Sequence, residues 1–231
     1  MRLFTSGSAP LLAQTFEEFA DRTGHRILER YGMTETGMNT SNPLDGPRVP
    51  ETVGPPLAGV SVRIVSHDDR DLPAGEVGQL LVKGPNVFKG YWRQPDKTAE
   101  EFSADGWFRT GDLARRDANG YVAIVGRVKD LIITGGLNVY PKEIETYIDD
   151  LDGVAESAVI GLPHPDLGEA VTAVVVRARG HEDMTEESLL QALKQKIAGY
   201  KVPKRVFFVA ELPRNAMGKV QKSLLRNQYR V

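Results

Sequence analysis

Residues 126–145 constrain this chain more than any other stretch, because they join a polar hinge, a double glycine and a proline-started helix in one run. Gly126, Arg127, Val128, Lys129 and Asp130 open it, and Gly135 and Gly136 follow a short apolar segment. Adjacent glycines let a backbone turn through positive φ and let a ligand approach with no Cβ in the way. Pro141 suits the first turn of a helix, and Ile144, Tyr147, Ile148 and Leu151 then fall on one stripe. A second unit therefore begins near Lys129. Strands over 157–162, 170–177 and 205–209, with a helix carrying Leu189, Leu190, Leu193 and Ile197 that ends near Gly199, predict a compact α+β domain of about 100 residues.

Upstream, residues 3–6 read as a short buried strand entering Gly7, Ser8, Ala9 and Pro10, and Leu12, Phe16 and Phe19 share the face of a following helix. A second strand over 27–31 ends at Tyr31-Gly32-Met33-Thr34-Glu35, where open α/β sheets present ligand-binding residues. Residues 42–56 read as a long loop. From 60 to 125, β-rich runs (60–65, 78–83, 121–125) alternate with turn clusters, the pattern of a small sheet or barrel. The fold class is α/β followed by α+β.

Of the 231 residues, 41% are hydrophobic and 26% charged, an ordinary globular balance. The formal net charge of −2 gives no reason to expect nucleic acid or an anionic membrane as the main partner. The basic bias between Lys194 and Arg230 suits either phosphates or a solvated surface. Without cysteine there is no disulfide framework and no thiolate chemistry, which fits a reducing compartment. No apolar run approaches the ~20 residues that span a bilayer, and the first residues have no signal-peptide core. The expectation is a soluble cytoplasmic protein.

Four runs carry chemistry: Tyr31 to Glu35, Arg109-Thr110-Gly111-Asp112, Gly126 to Glu145, and Pro213 to Gly218-Lys219. A carboxylate such as Asp112 can accept both hydroxyls of a ribose, and Arg127 can add a donor. Glu35 suits magnesium, which favours one or two carboxylates plus phosphate oxygens. Read singly, Thr34-Glu35 is an ordinary helix cap, Gly111-Asp112 a plain turn and Lys219 one surface lysine among many. Trp107 and Phe108 are most simply core residues. His164 sits in a loop between prolines and reads as structural, while His25, His67 and His181 lack metal-ligand spacing.

In this order the four runs resemble the core motifs of the adenylate-forming acyl-CoA synthetase superfamily, over nearly the whole chain. The resemblance implies that residues 1–128 are the C-terminal part of a large adenylate-forming domain, a sheet and helix segment plus a small β-barrel. Residues 129–231 would be a mobile lid hinged at Lys129. ATP and CoA are the implied co-substrates and Mg2+ the implied metal. By the same resemblance Gly7, Ser8, Ala9, Tyr31, Gly32, Met33, Thr34, Asp112 and Arg127 bind the nucleotide, with Tyr31 stacked on adenine and Thr34 at the α-phosphate. Glu35 would be the metal ligand, Gly135 and Gly136 would line the pantetheine tunnel, and Lys219 would be the adenylation cation.

Family members also carry a Ser/Thr/Gly-rich loop ending in Lys ahead of the segment matching Gly7 to Pro10, and nothing in 1–231 matches it. The expectation is thus the C-terminal portion of a synthetase, with little activity by itself. Residues 29–41 and 85–92 most resemble malonyl-CoA synthetases, and the cation for a second carboxylate is expected upstream. The alternatives are a ligase for another small or aromatic acid, and an incompetent fragment that only binds nucleotide or a partner. Nothing in the sequence indicates an oligomeric state.

Overall fold

Parallel pairing of β1 (Thr5–Ser6) with β2 (Leu28–Met33) requires a crossover, and α1 (Ala13–Thr23) supplies it. The computed structural model describes residues 2–7, 11–216 and 218–230, in two compact units, Met1–Val128 and Lys129–Val231. Phe16 is the buried anchor of α1, and Gly24 ends the helix in the left-handed region at φ 71°. β1 is shorter than the strand the sequence predicts over 3–6, and Leu3 is exposed rather than buried.

β2 does not stop at Tyr31. It continues to Met33, turns, and returns as β3 (Gly37–Ser41). A Cβ on Gly32 would lie 2.0 Å from the carbonyl oxygen of Gly37, so this hairpin closes only over glycine. Thr34 and Glu35 therefore sit in a hairpin turn, and the helix-cap reading falls because no helix follows.

The rest of the first unit is an antiparallel meander of β4 (Ser61–Val65), β5 (Gly78–Lys83), β6 (Phe108–Arg116) and β7 (Val122–Arg127). Val62, Ile64, Leu80, Val82, Ala114 and Val122 form its core. Of the sheet or barrel that the pattern leaves open, the pairing shows the sequential order β4-β5-β6-β7. Between β5 and β6 lies α2 (Pro95–Glu101), opened by proline. Residues 42–56 stitch the two sheets: the Val53 amide donates to the Val122 carbonyl at 2.8 Å, and the Pro55 carbonyl accepts from the Ser41 amide at 3.1 Å.

β6 is irregular where it matters. Leu81 pairs with Arg109 and Gln79 with Leu113, so Thr110, Gly111 and Asp112 bulge out of the ladder. Gly111 takes φ 72° there, so Gly111-Asp112 is a bulge within a strand rather than a plain turn.

In the second unit β8 (Ile132–Thr134) and β9 (Leu137–Val139) form a hairpin, and α3 (Pro141–Asp149) follows. β10 (Val154–His164) and β11 (Gly168–Arg177) make the long central pair, with Val159 opposite Ala173. After α4 (Glu186–Lys194), β12 (Arg205–Val209) joins β11 in parallel, and α5 (Lys222–Tyr229) ends the fold. α4 is capped by Thr185, whose hydroxyl accepts from the Ser188 amide at 3.2 Å.

Both faces of this sheet are buried. Val159, Val171, Ala173 and Val175 pack with Ile144 and Ile148 of α3 and with Leu189 and Leu193 of α4. Ala158, Ile160 and Val174 pack with Leu212 and with Leu225 of α5. Double coverage explains why β10 and β11 read as nearly continuous apolar runs. Among the described residues no helix is long and apolar enough to cross a membrane.

Candidate active site

Three strands of the first unit bring together Tyr31, Asp112 and Arg127. Arg127 is the register partner of Asp112 across β6 and β7, and its Nε lies 3.5 Å from Asp112 Oδ1. Tyr31 donates its hydroxyl to Asp112 Oδ2 at 2.5 Å. The Asp112 amide donates to Thr110 Oγ1 at 3.1 Å, and the Thr110 hydroxyl donates to the Leu80 carbonyl at 2.8 Å, so the bulge is braced from inside. Burial, and then the Asp112 carboxylate, push the Tyr31 phenol far above its usual range, which keeps it a hydrogen-bond donor. Its ring packs against the meander core.

Beside this cluster the β2–β3 turn is pinned from the loop after β5. Asn86 Nδ2 donates to the Thr36 carbonyl at 2.7 Å and the Phe88 amide to the Glu35 carbonyl at 2.8 Å. Tyr91 donates its hydroxyl to Glu35 Oε1 at 3.1 Å. Burial and this hydrogen bond to Glu35 push the Tyr91 phenol up to about 12. The turn thus presents an exposed Thr34 hydroxyl and a half-buried, oriented Glu35 carboxylate. Gly7 lies near this hairpin, where an added Cβ would meet Arg30 Nη1 at 3.5 Å. Ser8 and Ala9 lie outside the described residues.

Sequence reasoning missed Thr110, Asn86 and Tyr91. The signal for the last two was the aromatic and polar composition of residues 85–92, which bears on Glu35 only through a contact 56 residues away along the chain.

Lys129, Gly135, Gly136 and Lys219 belong to the second unit. Lys129 is exposed in a short 3-10 turn, Val128–Asp130. Gly135 and Gly136 are the two turn residues of the β8–β9 hairpin at φ 57° and 78°, the doubly left-handed geometry that such two-residue turns demand. The Gly135 amide donates to the Leu167 carbonyl at 2.9 Å. Lys219 stands on a braced loop rather than a loose one. Arg214 bridges Val220, and the Lys219 amide donates to Asn215 Oδ1 at 2.9 Å. Gly218 turns through φ 78°, and its amide donates to the Asn215 carbonyl at 2.9 Å. His164 is the last residue of β10, opposite Gly168, rather than a loop residue, and its Nδ1 accepts the Asp166 amide at 3.2 Å, a structural use.

Among the described residues no three carboxylate, histidine or cysteine side chains converge to hold a metal. The single oriented carboxylate of Glu35 nevertheless fits an ion that takes most of its ligands from phosphate and water, as magnesium does.

Residues 1–92 match the family model described as AMP-binding enzyme, and residues 143–219 match that of the AMP-binding enzyme C-terminal domain. The chain belongs to the AMP-binding enzyme family. It is 44% identical to a malonate–CoA ligase of Arabidopsis thaliana over 98% of the chain and 38% of that protein. It is 40% identical to a long-chain-fatty-acid–CoA ligase of Escherichia coli, over 100% of the chain and 41% of that protein. ATP-bound MatB from Rhodopseudomonas palustris superposes with a TM-score of 0.96 at 61% identity, over 99% of this chain and 46% of MatB. The chain therefore spans about two fifths of the curated relatives it matches.

Proposed function

We propose that this chain is the catalytic C-terminal portion of an ATP-dependent acid–CoA ligase, acting on malonate or a similar small dicarboxylate. The observation that carries the reading is the Tyr31–Asp112–Arg127 cluster beside the pinned Thr34–Glu35 turn. A carboxylate facing two hydroxyls suits a ribose, and a hydroxyl with a metal-type carboxylate suits the phosphates next to it. Relatives named as CoA ligases supply the acceptor, and the malonate–CoA ligase supplies the lean to malonate.

In this reading the acid carboxylate attacks the α-phosphate and pyrophosphate leaves, and the thiol of CoA then loses its proton and attacks the acyl carbonyl of the adenylate, forming the thioester as AMP leaves. Asp112 accepts the ribose hydroxyls while Tyr31 and Arg127 hold its carboxylate in place, and the Tyr31 ring offers a stacking face to adenine. Gly7, Ser8, Ala9, Gly32 and Met33 bound the nucleotide. Thr34 donates to an α-phosphate oxygen. Lys219 neutralises the charge that builds during adenylation. Glu35 would hold magnesium, which would supply charge neutralisation to the phosphates. Lys129 is the pivot between half-reactions, and Gly135 and Gly136 leave room for the pantetheine arm. Residues 1–231 hold no loop matched to the β- and γ-phosphates, so turnover is assigned to a protein carrying this chain together with such a loop.

The test is acid-dependent AMP release by the chain joined to its upstream sequence. Malonate should run ahead of acetate and of a long-chain acid, and Lys219→Ala should cut adenylation by roughly 10²–10³. Preference for a long-chain or aromatic acid would move the substrate, whereas no CoA-dependent product with any acid would sink the ligase reading.

A further inference from the structure

We propose that α5 is a strut tying the residue after the hinge to the Lys219 loop, with Lys222 and Arg226 as positioning residues for Lys219. This rests on the reading of Lys129 as pivot and Lys219 as adenylation cation.

Lys222 and Arg226 are four residues apart and so project from one face of α5. Lys222 Nζ lies 2.5 Å from Glu145 Oε1, and the same oxygen accepts the Val159 amide at 2.8 Å. Glu145 is only 7% exposed, so this end of the strut is seated on α3 and β10. One turn later Arg226 Nη2 lies 2.7 Å from Asp130 Oδ1, the residue that follows Lys129. Their side chains are 28% and 17% exposed, too sheltered for the near-zero value of a surface pair. Leu225 between them is 1% exposed in the sheet core, which fixes the rotation of the helix.

The Lys219 loop runs straight into this helix. Its entry is held by the Arg214–Glu156 ion pair, and the Gln221 amide returns to the Pro213 carbonyl at 2.8 Å. Along the backbone, almost the whole unit separates Lys129 from Lys219. Through Asp130, Arg226 and the first turns of α5 the connection is short and stiff. A rotation at the pivot reaches Lys219 as a defined displacement only if hinge exit and lysine loop move as one body. The Gly135–Gly136 hairpin needs no such strut, because β8 begins two residues after Asp130. Loss of the strut should therefore weaken adenylation and spare thioester formation, whereas a merely stabilising ion pair would affect both alike.

Arg226→Gln, Asp130→Asn, the double variant and the conservative Arg226→Lys test this. In the 231-residue chain, hydrogen exchange of the Gly218, Lys219 and Gln221 amides should accelerate about tenfold in either single variant, with the β10–β11 ladder unchanged. Faster exchange confined to Asp130 and its neighbours would overturn the strut. In the chain joined to its upstream sequence, adenylation should fall about tenfold, thioester formation from preformed acyl-adenylate should stay within about twofold, and the double variant should be no worse than either single one. Arg226→Lys should recover most of the loss. Lys219→Ala separates the two levels. If it leaves adenylation intact, the underlying reading fails; if it abolishes adenylation while Arg226→Gln lowers both half-reactions equally or neither, the strut alone fails.

Discussion

Gly32 and Gly111 flank the same cluster and are glycine for different reasons, which makes their substitutions separable. At Gly32 the obstacle is a backbone oxygen 2.0 Å from where a Cβ would stand, so Gly32→Ala should open the β2–β3 hairpin and cost about 3 kcal/mol or more. At Gly111 nothing lies within 4 Å of an added Cβ, and only its φ of 72° is unfavourable, so Gly111→Ala should cost about 1–2 kcal/mol. Chemical denaturation of the two variants checks the order, and a larger loss at Gly111 would refute it. Glu29 gives a pH prediction. It is 6% exposed, its Oε1 has no partner among the described residues, and burial and then Glu51 push its carboxyl up to about 7. The native state therefore keeps a proton that the unfolded chain has lost above its ordinary value of 4.5. Stability from this group is complete below that value and is lost as pH rises through about 7, by at most about 3 kcal/mol. Unfolding followed from pH 4 to 8 should show this fall, and Glu29→Gln should flatten it.

Elements marked by β-rich apolar runs, or by apolar residues recurring at helical spacing, were legible in the sequence, as α1, α3, α4, β4, β5, β10, β11 and β12 show. Elements set by non-local partners were not. β6 carries Arg109 to Asp112, whose charges and glycine imitate a turn, and only its register against β5 and β7 reveals a bulged strand. β8 and β9 are three residues each around a double glycine, too short for periodicity to register. α5 lies in the basic stretch that suits either phosphates or a solvated surface, and its local pattern does not show that Leu225 is in the core or that Lys222 and Arg226 pair with Glu145 and Asp130. The site followed the same rule: Tyr31, Asp112 and Arg127 were named from motifs, while Tyr91, which orients Glu35, depends on a fold contact that no local pattern encodes. At the proposed pivot, Lys129, the test falls on a single peptide unit. Proline fixes φ and removes the amide donor, so Lys129→Pro should favour one half-reaction over the other in the completed enzyme. Pyrophosphate exchange and CoA transfer kept in their normal ratio would show that the pivot lies elsewhere.

At the scale of the whole molecule the two units have cores of unequal self-sufficiency. The second unit buries both faces of its sheet under α3, α4 and α5, and at about 100 residues it falls in the range of independent domains. In the first unit a two-residue β1 edges the three-stranded sheet β1-β2-β3, and the buried Glu29 has one carboxylate oxygen, Oε1, without a hydrogen-bond partner among the described residues. What the first unit offers a nucleotide is correspondingly partial. In the proposed reading it offers a ribose-type carboxylate, an aromatic face and one metal-type carboxylate, but no cradle matched to the β- and γ-phosphates among the described residues, and positioning those phosphates is most of what such chemistry asks of a protein. The 231-residue chain alone should therefore bind ATP at most weakly, lose that binding on Asp112→Ala, and form no measurable malonyl-CoA. Joined to its upstream sequence, or mixed with the upstream portion of R. palustris MatB as a separate chain, it should turn over with malonate and CoA. Isothermal titration for ATP and a coupled AMP-release assay measure the two parts. Robust acid-dependent AMP release by residues 1–231 alone would overturn the expectation, and would mean that side chains of this chain hold the triphosphate directly.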